Sequence, residues 1–414
     1  MAEFDYTAVA DPATYTDEDK LHALFAHMRK HDPVAWVEPE GFTPFWSITK
    51  HADIMEIEKD KTLFINEPRT VLLNDEGTQF FIDTVGTHNP VRSLVQMDDP
   101  DHVKYRALAQ AFFMPKSLRK FEGQVDEIAA NFVKRLEGKT ECDFVTDLAV
   151  WYPLHVVMMV LGVPEKDEKR MLKLTQELFG AGDSDMQRDE DPAAIFETIA
   201  DFHAYFTALS ENRRKKPQDD IATIIANAKI DGEPIPDFEA LSYYIIVATA
   251  GHDTTSSSTA GGLLALLEHP EELAKLKAKP DLMPSAVNEM IRWVTPVKHF
   301  MRTATADYEL RGKTIKKGQS VMLHYPSANR DEDVFENPNT FKVDREHNPQ
   351  IAFGYGAHLC LGMHLARMEM AALFRQLLPR LESVALNGET SRVESHFVSG
   401  LKTLPIKYEM LADA

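Results

Sequence analysis

The sequence predicts a mainly α fold: one large domain with a long central helix and a minor β-sheet region. Three observations lead there. Apolar residues recur at helical spacing through most of the chain, a proline-free stretch runs from Asp237 to His269, and strand-like pieces are few and short. Taken in order, Leu21, Leu24, Phe25 and Met28 follow the i, i+3, i+4, i+7 pattern of an amphipathic helix. Leu118, Phe121, Val125, Ile128, Phe132 and Leu136 do the same, with Pro115 before them and Gly138 as the stop. Further helices are expected over 166–179, 192–214 and 284–293. The strand-like pieces are FWSIT (45–49), a hairpin over 307–323, and HFVSG with TLPIKYEM near the C-terminus. The central stretch, with Asp237 as N-cap after Pro236, reads as one helix of about 50 Å at ~1.5 Å per residue. Its middle, AGHDTTSSSTAGG (250–262), is small and polar, which weakens a buried helix and offers a surface for something flat to lie against.

At 414 residues the chain exceeds the usual size of one domain, but no linker, low-complexity segment or repeat divides it, so residues 1–414 read as a single domain. The N-terminus is acidic and has neither the charged nor the apolar region of a signal peptide. Apolar runs such as YYIIVATAG and VVMMVLGV fall short of the roughly 18 residues a membrane span needs. Two cysteines exclude a disulfide framework and fit a reducing cytoplasm. A net charge of −20 argues against nucleic acid and against anionic membrane surfaces. The expectation is a cytoplasmic monomer acting on a small molecule.

Chemistry concentrates in FGYGAHLCLGMHLARMEM (353–370), where Cys360 is surrounded by Gly354, Gly356 and Gly362 ahead of a helical tail. A thiol near a helix N-terminus has its thiolate stabilised by free N–H groups and the helix dipole. The glycines permit tight turns, and Gly362 leaves room for a flat partner. Three readings stand at this point: a single axial metal ligand, which the glycines favour; a nucleophile paired with a distant histidine; and a zinc site with His358 and His364.

FGYGAHLCLG resembles the haem-binding loop of the cytochrome P450 family, F-x-x-G-x-x-x-C-x-G, with Phe353, Gly356, Cys360 and Gly362 at the fixed positions. AGHDTT (250–255) resembles the family's oxygen-activation motif, EMIR (289–292) its E-x-x-R pair, and FKVDRE (341–346) the loop whose arginine completes that ion cluster. WYPLHVVMMVLGVPEKDE, PVKHFMRTA and HYPSANRDEDVF are similar to a narrower bacterial group that oxidises terpineol and p-cymene. Tyr355 stands where several relatives carry His or Trp.

The resemblance implies a cytochrome P450-type domain that binds haem b through Cys360, since no C-x-x-C-H sequence exists for covalent attachment. Phe353, Gly354, Ala250 and Gly251 would pack on the haem, and His102, Arg106, Arg302 and His358 would hold its propionates. Asp253 and Thr254 would deliver protons, while Glu289, Arg292 and Arg345 would form a structural ion cluster. The implied substrate pocket comprises Phe80, Phe81, Ile82, Leu94, Ile246, Thr249, Ala250, Val297, Phe300, Phe397 and Val398, all uncharged, so a neutral monoterpenoid or alkylbenzene is expected, with larger fused aromatics as the alternative. Cys142 reads as inert packing and His252 as a polar helix residue. Electrons would come from a separate [2Fe–2S] ferredoxin and its reductase, docking on Lys104, Arg106, Lys116, Arg119 and Lys120, a run without an acidic residue. The rival reading is a haem-binding sensor or carrier that leaves O2 unactivated.

Overall fold

The computed structural model describes residues 4–179 and 193–411. In chain order the first half comprises α1 (Glu18–His31), β1 (Val34–Val37), β2 (Phe45–Ile48), α2 (His51–Lys59), β3 (Phe64–Ile65), α3 (Asp75–Val85), α4 (Asp101–Gln110), α5 (Pro115–Leu118), α6 (Glu122–Lys134), β4 (Glu141–Asp143), α7 (Trp151–Leu161), α8 (Glu168–Phe179) and α9 (Ala194–Lys215). The second half has α10 (Ile221–Ala226), β5 (Lys229–Ile230), β6 (Glu233–Pro234), α11 (Asp237–Ala250), α12 (Asp253–Glu268), α13 (Pro270–Ala278), α14 (Met283–Val294), β7 (His299–Ala304), β8 (Tyr308–Leu310), β9 (Lys313–Ile315), β10 (Ser320–His324), α15 (Tyr325–Ala328), α16 (Met363–Leu377), β11 (Leu381–Leu386), β12 (Ser391–Arg392), β13 (Leu401–Thr403) and β14 (Pro405–Met410).

Sequence chemistry explains the main elements. Asp17 caps α1 by accepting from the Lys20 N–H, and Leu21, Leu24, Phe25 and Met28 are all buried. Helix α7 is apolar on every side and sits in the main core, where Tyr152, Leu154, Val156, Val157, Met158, Val160 and Leu161 are buried. Among the described residues, no helix is long and apolar enough to cross a membrane. A five-stranded sheet of order β1-β2-β10-β7-β3 forms the larger β region. Its strands alternate between two cores: Met322 of β10 faces the α1 side, whereas Val321 and Leu323 face α2.

Three expectations need correcting. The stretch from Leu118 to Leu136 is not one helix, because a 3₁₀ turn over Arg119–Phe121 separates α5 from α6. The central helix is broken at Gly251–His252. Asp237 is its first helical residue, not its cap. At the break the Thr254 hydroxyl donates to the Ala250 carbonyl at 2.8 Å, and His252 N–H bonds back to Thr249 at 3.3 Å in a tighter turn. Finally, 307–323 is not a simple hairpin. Strands β8 and β9 form one, turned by Arg311 and Gly312 with φ of 48° and 74°, but β10 leaves it to pair parallel with β2 and antiparallel with β7.

Candidate functional site: the cysteine loop and the broken helix

The loop before α16 is shaped by two left-handed glycines, Gly354 (φ 71°) and Gly356 (φ 70°). At Gly356 a side chain would also run into the Glu58 carbonyl at the end of α2, so both conformation and space require glycine there. The Cys360 N–H donates to the Phe353 carbonyl at 2.9 Å and closes the loop. Helix α16 begins later than the sequence indicates, with Gly362 as its cap. Cys360 therefore lies ahead of the helix, where burial pushes its thiol up while the N–H groups of Gly362 and Met363 and the charges of Arg106 and Arg367 oppose that shift. Cys360 is nevertheless accessible, and so is Ala250 at the end of α11. A Cβ on Gly362 would meet nothing within 4 Å, so the space beside the thiol is open. The zinc reading falls away, since among the described residues no group of three or more His, Cys, Asp or Glu side chains could hold a metal ion.

Beside the loop, the imidazoles of His102 and His358 converge with the guanidinium groups of Arg106 and Arg302. The rings of His102 and His358 stack with centroids 3.8 Å apart. Arg106 donates to the Leu359 carbonyl at 2.6 Å. His358 Nε2 accepts from the Asn66 amide at 2.7 Å. Burial, then Arg302, His102, Arg106 and Lys61, hold the His358 imidazole down to about 2. Burial and Arg106 likewise lower His102, whose two ring nitrogens are buried without a hydrogen-bond partner. Two guanidinium groups beside an imidazole whose N–H is unused suit an anion. Arg302 is already engaged, donating to Glu58 Oε1 at 3.0 Å, a partner that sequence reasoning missed. An accessible thiol, an open face at Gly362 and this cationic rim fit haem b with its two carboxylates.

On the broken helix, Asp253 is half-buried and its Oδ1 lies 2.9 Å from His252 Nδ1. His252 is fully buried, with Nε2 3.0 Å from the Val150 carbonyl, so it links the break to α7. Gly251 serves that same packing, because a Cβ there would come within 2.7 Å of Val157 Cγ2. Of the pocket candidates, Val297 and Val398 meet in a β-bridge, and the rings of Phe300 and Phe397 lie 5.5 Å apart. Ile246 is half-buried on α11, whereas Thr249 is buried with its hydroxyl on the Ile245 carbonyl, and Leu94 packs into the main core. Phe80 and Phe81 on α3 both contact Phe196 of α9, a residue absent from the sequence reading. Ile82 is half-buried on the same helix. Phe353 lies under the Arg367 guanidinium, 4.7 Å from it.

Glu289 takes both Arg292 (2.8 Å twice) and Arg345 (2.9 Å), all three buried. Burial pushes its carboxyl up, but the two arginines and the Lys342 N–H hold it below its usual value. Arg292 also reaches the Asn329 carbonyl, and the Asn329 side chain accepts from Ile351 N–H at 2.8 Å, which ties the cluster to the start of the cysteine loop. The cationic run is less free than the sequence indicates: Lys104 pairs with Asp231 and Lys120 with Asp219. Lys116 and Arg119 are exposed, and α5 packs on α16. Cys142 pairs with Tyr408 and is pushed up to about 12, chiefly by burial.

The chain is similar to known proteins along nearly its whole length. The chain is 46% identical over 408 residues to Cytochrome P450-terp of Pseudomonas sp, covering 96% of this chain and 95% of that protein. It is 34% identical over 403 residues to a methyl-branched lipid omega-hydroxylase of Mycobacterium bovis, covering 95% and 92%. The fold superposes on the crystal structure of CYP108D1 from Novosphingobium aromaticivorans with a TM-score of 0.92, 44% identity and 98% of each chain. Residues 18–411 match the family described as Cytochrome P450. With the cysteine loop, the broken helix and the cationic rim all present, the chain belongs to the cytochrome P450 family and is a haem b monooxygenase that uses O2 and electrons from a redox partner.

Proposed function

We propose that this monooxygenase hydroxylates a small apolar cyclic substrate, a monoterpenoid or alkylbenzene, with electrons from a separate [2Fe–2S] ferredoxin and its reductase. The observation that carries the chemistry is the accessible Cys360 thiol, flanked by two backbone N–H groups and two arginines. As thiolate it is the ligand that haem needs, and haem bound in this way supplies the activation of dioxygen. Arg106, Arg302, His102 and His358 would hold the propionates. Thr254, its own proton committed to the Ala250 carbonyl, presents oxygen lone pairs that accept a hydrogen bond and so hold a proton-bearing water in place. Asp253, partly exposed, takes up protons from solvent and replenishes those that reach that water.

The substrate class rests on the lining. Val297, Phe300, Phe397 and Val398 meet as one apolar surface, and a carboxylate placed against it would lose its hydration without a partner. The likeness to a protein named P450-terp supports a terpenoid. Two free cysteines support the cytoplasm. The same reading makes the protein a monomer whose chain, 1–414, is one domain. Titrating the purified protein with p-cymene, α-terpineol, cumene and a long-chain fatty acid, scored by spin-state change and turnover, tests the substrate. The cyclic compounds should shift the spin state at lower concentration and turn over. A fatty acid that binds and turns over far better would overturn the substrate reading alone.

A further inference from the structure

Of the four rim residues, His102, Arg106, Arg302 and His358, Arg302 alone donates a hydrogen bond to a carboxylate. Glu58, in the last turn of α2, accepts on one oxygen, Oε1, from Arg302 Nη2 at 3.0 Å and from the Tyr325 hydroxyl at 2.8 Å. Its other oxygen, Oε2, is buried with no hydrogen-bond partner. Glu58, Arg302 and Tyr325 are 5%, 3% and 1% exposed, so water does not screen the group. Burial pushes the carboxyl up, against Arg302, the Tyr325 hydroxyl and the Tyr355 N–H. Glu58 also touches the cysteine loop: its carbonyl abuts Gly356, and Oε1 would lie 3.5 Å from a Cβ on Gly354.

A latch between α2 and the loop would need only a neutral polar pair. A buried carboxylate with one oxygen unsatisfied is a costly way to build one, so its charge calls for a reason. The haem carboxylates bring two negative charges to a rim whose permanent cations are Arg106 and Arg302, and Glu58 adds a third negative charge beside Arg302. An electron added to the iron is opposed by negative charge nearby, most strongly where solvent is excluded. We infer that Glu58 is a positioning residue which holds Arg302 for a haem carboxylate, and whose charge keeps the iron's reduction potential below the value that the cationic rim alone would set. The inference rests on the reading in which haem is bound at Cys360.

The two donors to Oε1 allow a test by sign. Glu58→Gln removes the charge and keeps an acceptor for Arg302, so the midpoint potential should rise. Tyr325→Phe removes a donor that disperses the carboxylate charge, so at alkaline pH, where Glu58 stays ionised, the potential should fall, by less. Both are measured by spectroelectrochemical titration of the haem-loaded protein, with melting curves and the reduced carbon monoxide spectrum as controls for folding and ligation. Opposite shifts in folded variants with an intact thiolate-type spectrum support the inference. Unchanged potentials, or shifts of one sign in both, would overturn it and leave Glu58 as a latch. Should Glu58→Gln fail to fold, Tyr325→Phe decides: a lowered potential supports the inference and any other result overturns it. A wild-type chain that takes up no haem would instead remove the Cys360 reading, and this inference with it.

Discussion

Thr254 gives its hydroxyl proton to the Ala250 carbonyl, and that single bond does two things. It satisfies a carbonyl freed where the central helix breaks, and it turns the oxygen's lone pairs outward. Thr254→Ala should therefore still bind haem and substrate, yet send a larger share of electrons to hydrogen peroxide; the ratio of peroxide to product per electron consumed measures this. Asp253→Asn should slow turnover more than it changes that ratio, because it acts on proton supply. Unchanged rate and ratio in both variants would contradict the relay. Residues of this kind were legible because their chemistry is local: Cys360 among its glycines, and Asp253 beside Thr254, lie within short readable stretches. Glu58 was not legible. It meets Arg302 across 244 positions, and a glutamate at the end of an amphipathic helix carries no mark of its own. His252 was passed over for the same reason, since its contact with the Val150 carbonyl spans 102 positions.

Among the elements, the cysteine loop depends on backbone more than on side chains. Gly356→Ala would impose left-handed strain of about 1–3 kcal/mol and, in addition, press a methyl group into the Glu58 carbonyl. The expected result is a lower melting temperature and poor haem retention, whereas Gly362→Ala, whose methyl meets no protein atom, should fold normally but retain haem less well, because the methyl enters the open face assigned to it. The ion cluster gives a second test. Arg345→Ala leaves Glu289 buried with Arg292, the Lys342 N–H and the Asn348 amide but without its second arginine, a change that costs less than the ~3–5 kcal/mol of a fully broken buried pair, readable by denaturant titration. Because Glu289 is held below its usual 4.5, its contribution is complete above about that pH and lost as pH falls through the lower folded value. Glu289→Gln should accordingly flatten the acid limb of the stability curve. Helices α1, α8, α9 and α14 and strand β2 were legible from period alone, whereas α2, α3, α4, α7 and β1 were not named. The β10 pairing was not, because alternation names a strand and leaves its partner open, and the break in the central helix was hidden by residues that continue a helical pattern on both sides.

Across the whole molecule, which carries a net charge of −20, the exposed Lys116 and Arg119 around α5 are the landing place that the proposed function assigns to an acidic electron donor. Composition revealed the run but not its pairings, since Asp219 and Asp231 lie about a hundred positions or more away from Lys120 and Lys104. Charge reversal at Lys116 or Arg119 should slow association with a [2Fe–2S] ferredoxin and reduce its salt dependence. Reversal at Lys104, already paired, should do less; stopped-flow reduction at two ionic strengths separates them. The claim on which all of this stands is that Cys360 is the thiolate ligand of haem b. The most direct measurement is the spectrum of the reduced, carbon monoxide-bound protein in three forms: wild type, Cys360→His and Cys142→Ala. The account predicts the strongly red-shifted Soret band of thiolate ligation in wild type and Cys142→Ala, and its loss in Cys360→His; a band that survives in Cys360→His, or a wild-type protein that carries no haem, would contradict it.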